Sequence, residues 1–157
     1  MKDLDKKFGK KRIIDTPVSE AAVTGAAVGA SLNEMKPIVV HPRMDFMLYA
    51  MDPIVNQAAK WSYMFGGNSS PKLTIRAILN RGGEQGAQHS PALHSRCAHI
   101  PGLRVAMPST VKDARELLIS SVLCDLQTFH NLMFFYTNIQ ICVFVFDELV
   151  MCVYEIV

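Results

Sequence analysis

The stretch "RIIDTPVSEAAVTGAAVGA", residues 12–30, holds the key to the architecture. Arg12–Asp15 is a short run of strand length, Pro17 turns the chain, and a helix over Ser19–Met35 opens on a single carboxylate, Glu20. Two further runs, Pro37–Val40 and Leu73–Ile78, are largely apolar without alternation. Such continuous character is what strands buried on both faces of a parallel sheet show. A second helix is expected over Phe46–Trp61, a short one through His94, and a fourth strand over Leu103–Met107. Ser109 or Thr110 then caps a helix with Asp113 in its first turn and Leu117, Leu118 and Val122 along one face. Strand and helix alternate, so the expected fold class is α/β: a three-layer parallel sheet with helices on both faces.

The bulk numbers agree with that reading. A chain of 157 residues suits one domain with a real core. With 50% apolar and 19% charged residues, the composition fits a buried α/β sheet better than a disordered or nucleic-acid-binding chain. Net charge is +2, and the one basic cluster (Lys6, Lys7, Lys10, Lys11, Arg12) reads as a solvated terminus rather than a phosphate patch. Cys97, Cys124, Cys142 and Cys152 form no CxxC pair and no ligand spacing with histidine. Free thiols in a reducing compartment are expected, not disulfides or zinc. No apolar secretion segment opens the chain. From Thr128 to Phe146 the chain carries no formal charge and is long enough to span a bilayer. His130, Asn131, Asn138 and Gln140 interrupt it and its second half is rich in aromatic and β-branched residues, so buried strand is the expectation over a membrane segment.

Three strand ends carry the candidate chemistry. Glu20 alone reads as a carboxylate favoured by the helix dipole, worth about 0.3–1 kcal/mol. Its place just beyond a strand's carboxyl end is also where α/β folds bind ligands. In the same helix Gly25 and Gly29 lie one turn apart, each costing about 1 kcal/mol of helix propensity, which suits close approach by another backbone, between subunits. After the second strand, Phe46 and Tyr49 read either as core aromatics or, for Phe46 with Met44 and Met47, as an apolar pocket for a flat heterocycle. His41 is expected to be a local hydrogen-bonding residue. After the third strand, Gly82, Gly83 and Gly86 make a loop that matches neither GxGxxG nor a Walker loop. His89, His94 and His99 recur at every fifth position, which scatters them around a helix and argues against a metal site. His89 is the best candidate for acid–base work.

Five segments then occur in order: "RIIDTPVSEAAVTGAAVGA", "KPIVVHPRMDFMLYAMDPIVNQAAKW", "GAQHS", "AHIPGLRVAMPST" and "DARELLISSV". Together they resemble the beta subunit of thiamine-diphosphate-dependent 2-oxo acid dehydrogenases of the pyruvate dehydrogenase type, in its transketolase-like pyrimidine-binding domain. The resemblance covers residues 8–125, a partial domain truncated at both ends, and leaves 126–157 as a divergent apolar tail. It implies that Glu20 hydrogen-bonds a pyrimidine ring nitrogen of thiamine diphosphate and favours the imino tautomer that deprotonates the thiazolium carbon. It implies that Phe46 stacks on the pyrimidine and that His89 serves acyl transfer to a lipoyl group. It further implies an alpha subunit that holds the diphosphate and its magnesium, a second beta subunit, and a lipoyl acyltransferase core. The expected location is cytoplasmic, or mitochondrial matrix or plastid in a eukaryote, and the chain is expected to be inactive alone. A non-catalytic relic or interaction module that keeps the fold without the cofactor is the alternative.

Overall fold

The computed structural model describes residues 3–79, 86–123, 131–137 and 150–153. In chain order the strands are β1 (Ile13–Asp15), β2 (Pro37–His41), β3 (Thr74–Leu79), β4 (Leu103–Ala106), β5 (Asn131–Thr137) and β6 (Val150–Val153). The α-helices are α1 (Leu4–Phe8), α2 (Glu20–Leu32), α3 (Trp61–Met64), α4 (His94–Ala98) and α5 (Val111–Leu123). The described strands form one sheet in the order β1–β6–β2–β3–β5–β4, and every neighbouring pair is parallel. Ile13, Met151, Ile38, Thr74, Leu132 and Arg104 make one row across it.

Side chains of β2 alternate between two cores, as a strand covered on both faces requires. Val39 joins Val23, Ala27 and Val28 of α2 and Ile75 and Ala77 of β3. Ile38 and Val40 join Ile13 and Val122 of α5, with Leu4 and Phe8 of α1 packed alongside. Helix, sheet, helix is the layering expected from the alternating pattern.

The helices depart from expectation at points with local causes. Helix α2 stops at Leu32, three residues before Met35, because Glu34 takes a left-handed φ of 66° and the Met35 amide donates back to the Ala30 carbonyl. That is a helix-ending motif in which glycine usually fills the left-handed position. The helix expected over Phe46–Trp61 is split into a 3₁₀ turn, Phe46–Ala50, a π-helical segment, Asp52–Ala58, and α3. Pro53 brings no amide to continue an α-helical ladder, and the Ala59 amide reaches the Ile54 carbonyl at 2.9 Å instead. The short helix begins at His94 rather than running through it, after the non-helical residues 91–93. In α5 the buried positions are Ala114, Leu118 and Val122, spaced four apart. Leu117, expected on that face, lies about 100° away from Leu118 and is exposed. Its N-terminus is capped by Thr110: the Asp113 amide donates to Thr110 Oγ1, and the Thr110 amide donates to the Asp113 carboxylate, each at 3.1 Å.

Gly102, at the turn into β4, has φ 93°, and a Cβ there would run into the Ala59 carbonyl oxygen. Within the Thr128–Phe146 run, Asn131–Thr137 is strand β5, lying between β3 and β4; the rest lies outside the described residues. Among the described residues no helix is long and apolar enough to cross a membrane.

Candidate functional site

Parallel strands place their carboxyl ends along one edge, and the loops leaving that edge are where α/β folds gather ligand-binding groups. Asp15 ends β1 and the chain reaches Glu20 at the first position of α2. His41 ends β2 and leads to Phe46 at the first position of the 3₁₀ turn. Leu79 ends β3, and Gly86 and His89 follow farther along the chain; Gly82 and Gly83 lie outside the described residues. The three residues expected to carry the chemistry thus stand on three connections from one edge.

Two of them touch. The rings of Phe46 and His89 meet edge to face, centroids 5.2 Å apart and planes at 84°, an arrangement aromatic quadrupoles favour. Both are half-buried, as is Glu20. Glu20 opens the helix that packs on the Phe46–Ala50 turn. The Met44 amide donates to the Ile78 carbonyl at 3.1 Å, fastening the approach to Phe46 onto β3. Gly86, with φ 81°, and the His89 amide, donating to the Gly86 carbonyl at 3.2 Å, shape the turn that presents His89. Met44 and Met47 are core residues at 1% and 0% exposure, while Phe46 is half-buried. Tyr49 is neither core nor pocket, being largely exposed.

His41 is buried against α2. Its Nε2 and the Thr24 hydroxyl share a hydrogen bond of 3.2 Å, across seventeen positions of sequence rather than locally as expected. Burial lowers the His41 pKa to about 4, so the imidazole is neutral at physiological pH. Thr24 was not legible as a site-related residue; the signal was a hydroxyl one turn beyond Glu20 on the buried side of an apolar helix. Asp45, next to Phe46, has one carboxylate oxygen sealed from solvent with no hydrogen-bond partner among the described residues. Cys97 is a core residue at 1% exposure, and burial pushes its thiol up to about 11. Cys124 and Cys142 lie outside the described residues. Among the described residues no three His, Cys, Asp or Glu side chains gather as metal ligands. At Gly25 and Gly29 a Cβ would meet nothing within 4 Å, so the close approach anticipated there is not made by this chain's own described residues.

The transketolase pyrimidine-binding domain family matches residues 1–139, and the chain belongs to that family. Relatives follow the same line. The acetoin:2,6-dichlorophenolindophenol oxidoreductase subunit beta of Cupriavidus necator is 47% identical over 111 residues, covering 71% of this chain and 33% of that one. The mitochondrial pyruvate dehydrogenase E1 component subunit beta-2 of Oryza sativa subsp. japonica is 40% identical over 121 residues, 77% of this chain and 32% of that one. The corresponding subunit beta of Rhizobium meliloti is 38% identical over 115 residues, 73% of this chain and 25% of that one. The likeness to 2-oxo acid dehydrogenase beta subunits read from the ordered segments is borne out by these relatives. The chain spans about a third of the length of the first such relatives.

Proposed function

We propose that this chain is the pyrimidine-binding part of a thiamine-diphosphate-dependent 2-oxo acid dehydrogenase beta subunit, with Glu20, Phe46 and His89 as its share of the active site. The observation that carries the reading is the Phe46–His89 ring pair on the same sheet edge as Glu20. The residues fit the group: a half-buried acceptor, a flat apolar ring and an imidazole in perpendicular contact with that ring.

When bound, thiamine diphosphate supplies the electron sink for decarboxylating a 2-oxo acid. The Glu20 carboxylate would accept a hydrogen bond from a protonated pyrimidine nitrogen, a charge-assisted contact that strengthens as water is excluded. Phe46 offers the surface against which the pyrimidine lies. His89 would hold or pass a proton during acyl transfer to a lipoyl group. The diphosphate and magnesium belong to an alpha subunit, and a second beta subunit and a lipoyl acyltransferase core complete the assembly. The chain works in the cytoplasm of a bacterium or in the mitochondrial matrix or plastid of a eukaryote; mitochondrial names among the relatives support the second setting.

Calorimetric titration of thiamine diphosphate and magnesium, with and without a supplied alpha subunit, tests this. Binding is expected only with the partner, weakened about tenfold or more by Glu20→Ala, as loss of a charge-assisted bond entails. Absence of binding with the partner present would favour a fold kept without the cofactor, whereas equal binding by the variant would remove Glu20 from the site.

A further inference from the structure

We propose that the Thr24–His41 pair is the positioning element that sets Glu20 against Phe46; the inference rests on the cofactor reading above for its purpose, but not for its geometry. Thr24 lies one turn beyond Glu20 on α2, and His41 is the last residue of β2, five positions before Phe46. The 3.2 Å hydrogen bond between them therefore ties the helix that presents the carboxylate to the strand that presents the ring. Both side chains are enclosed, Thr24 at 0% and His41 at 1% exposure.

The need for such a tie follows from what α2 is made of. Its buried face consists of Val23, Thr24, Ala27, Val28 and Ser31. The Ser31 hydroxyl is turned back on the helix, donating to the Val28 carbonyl at 2.7 Å. Burial of small aliphatic side chains is non-directional and by itself names no single rotation or register of the helix. A hydrogen bond is directional and supplies the missing constraint. Enclosing a hydroxyl and an imidazole costs free energy that an apolar pair of the same shape avoids. What the polar pair adds is one preferred register, since a slipped helix gives up the 3.2 Å bond between two enclosed groups.

Residual dipolar couplings on the ¹⁵N-labelled full chain read the angle between α2 and β2 directly. Thr24→Val, which keeps the shape and removes the hydroxyl, is expected to change those couplings or split the α2 resonances. Thr24→Ser, which restores the hydroxyl, is expected to keep the parent values while melting within a few degrees of the valine variant. Thr24→Ala provides the same comparison should valine disturb the fold. In the chain paired with an alpha subunit, Thr24→Val is expected to raise the half-saturating concentration of thiamine diphosphate with magnesium by about tenfold, the scale of a sub-ångström misplacement. Unchanged couplings in the valine variant, or changed couplings with unchanged cofactor binding, overturn the proposal. Glu20→Gln separates the two ideas: it is expected to leave the couplings alone and weaken binding. If it binds like the parent, the role given to Glu20 fails and takes the assigned purpose with it, while the coupling result still decides whether the pair orients α2.

Discussion

Phe46 and His89 stand in edge-to-face contact at 5.2 Å, although forty-three positions separate them in sequence. One residue leaves β2 and the other follows β3, and these strands are hydrogen-bonded neighbours with His41 level with Ala77. Adjacent parallel strands bring their outgoing loops together, and a half-buried ring pair forms where those loops meet. The contact places an imidazole beside an aromatic ring at the edge where β2 and β3 end.

Replacing Phe46 by leucine keeps apolar volume and removes the ring. The stability loss is expected to stay within about 1.5 kcal/mol, the scale of an aromatic pair. The ring-current shift on the His89 imidazole protons should vanish from the NMR spectrum, and cofactor affinity of the paired protein should fall. A His89 spectrum indifferent to the substitution would mean that the rings do not meet in solution.

His41 makes stability depend on pH with a definite sign. The unfolded imidazole, with its ordinary pKa of 6.5, takes up a proton below that value, whereas the buried one does so only near 4. Stability is therefore full above pH 6.5 and declines as pH falls toward 4, by about 2 kcal/mol between pH 7 and pH 5. Urea titrations at the two pH values measure the decline, and His41→Gln should show correspondingly less of it.

Glu34 occupies a left-handed conformation at φ 66° on the exposed end of α2. Glycine adopts that conformation without a Cβ penalty, at some cost in unfolded-state entropy. Glu34→Gly is expected to stabilise the fold by about 0.5–1 kcal/mol, read as a higher urea midpoint with an unchanged slope.

Gly102 tolerates no side chain. Its φ of 93° is unfavourable for other residues, and a Cβ would strike the Ala59 carbonyl oxygen, a backbone atom that cannot swing aside. Gly102→Ala is expected to destabilise by about 2–5 kcal/mol, combining backbone strain with overpacking. Equilibrium unfolding gives the value, and a neutral result would mean that the turn and the π-helical segment do not lie this close.

Much of the fold was legible in local pattern. Continuous apolar runs such as Pro37–Val40 identify strands covered on both sides, and a hydroxyl-bearing residue followed by Asp113 marks the start of α5, because both signals arise within a few residues of chain. Glu20, Phe46 and His89 were found as residues following strands, with their roles supplied by resemblance. The breaking of Phe46–Trp61 was legible in principle, since Pro53 lies inside it, but proline alone does not say which helix geometry replaces α.

Other features had no local signal. Leu117 and Leu118 are equally apolar, and only the direction in which α5 lies on the sheet chooses between them. Met44 and Met47 look as apolar in sequence as Phe46, and only the assembled core, which encloses both, separates them from it. Thr24 is one hydroxyl in a helix, and His41 one imidazole at a strand end, until the α2–β2 packing joins them.

By itself the sequence determined that strands and helices alternate, that the central strands are buried on both faces, and where the chemistry-bearing residues follow strand ends; each depends on hydrophobic spacing, caps or turn residues near one another in the chain. Only the tertiary structure decided the strand order, the meeting of Phe46 with His89 and the bond between Thr24 and His41. Those depend on which segments become neighbours when the sheet assembles, and contacts between distant positions leave no trace in the local pattern of either partner.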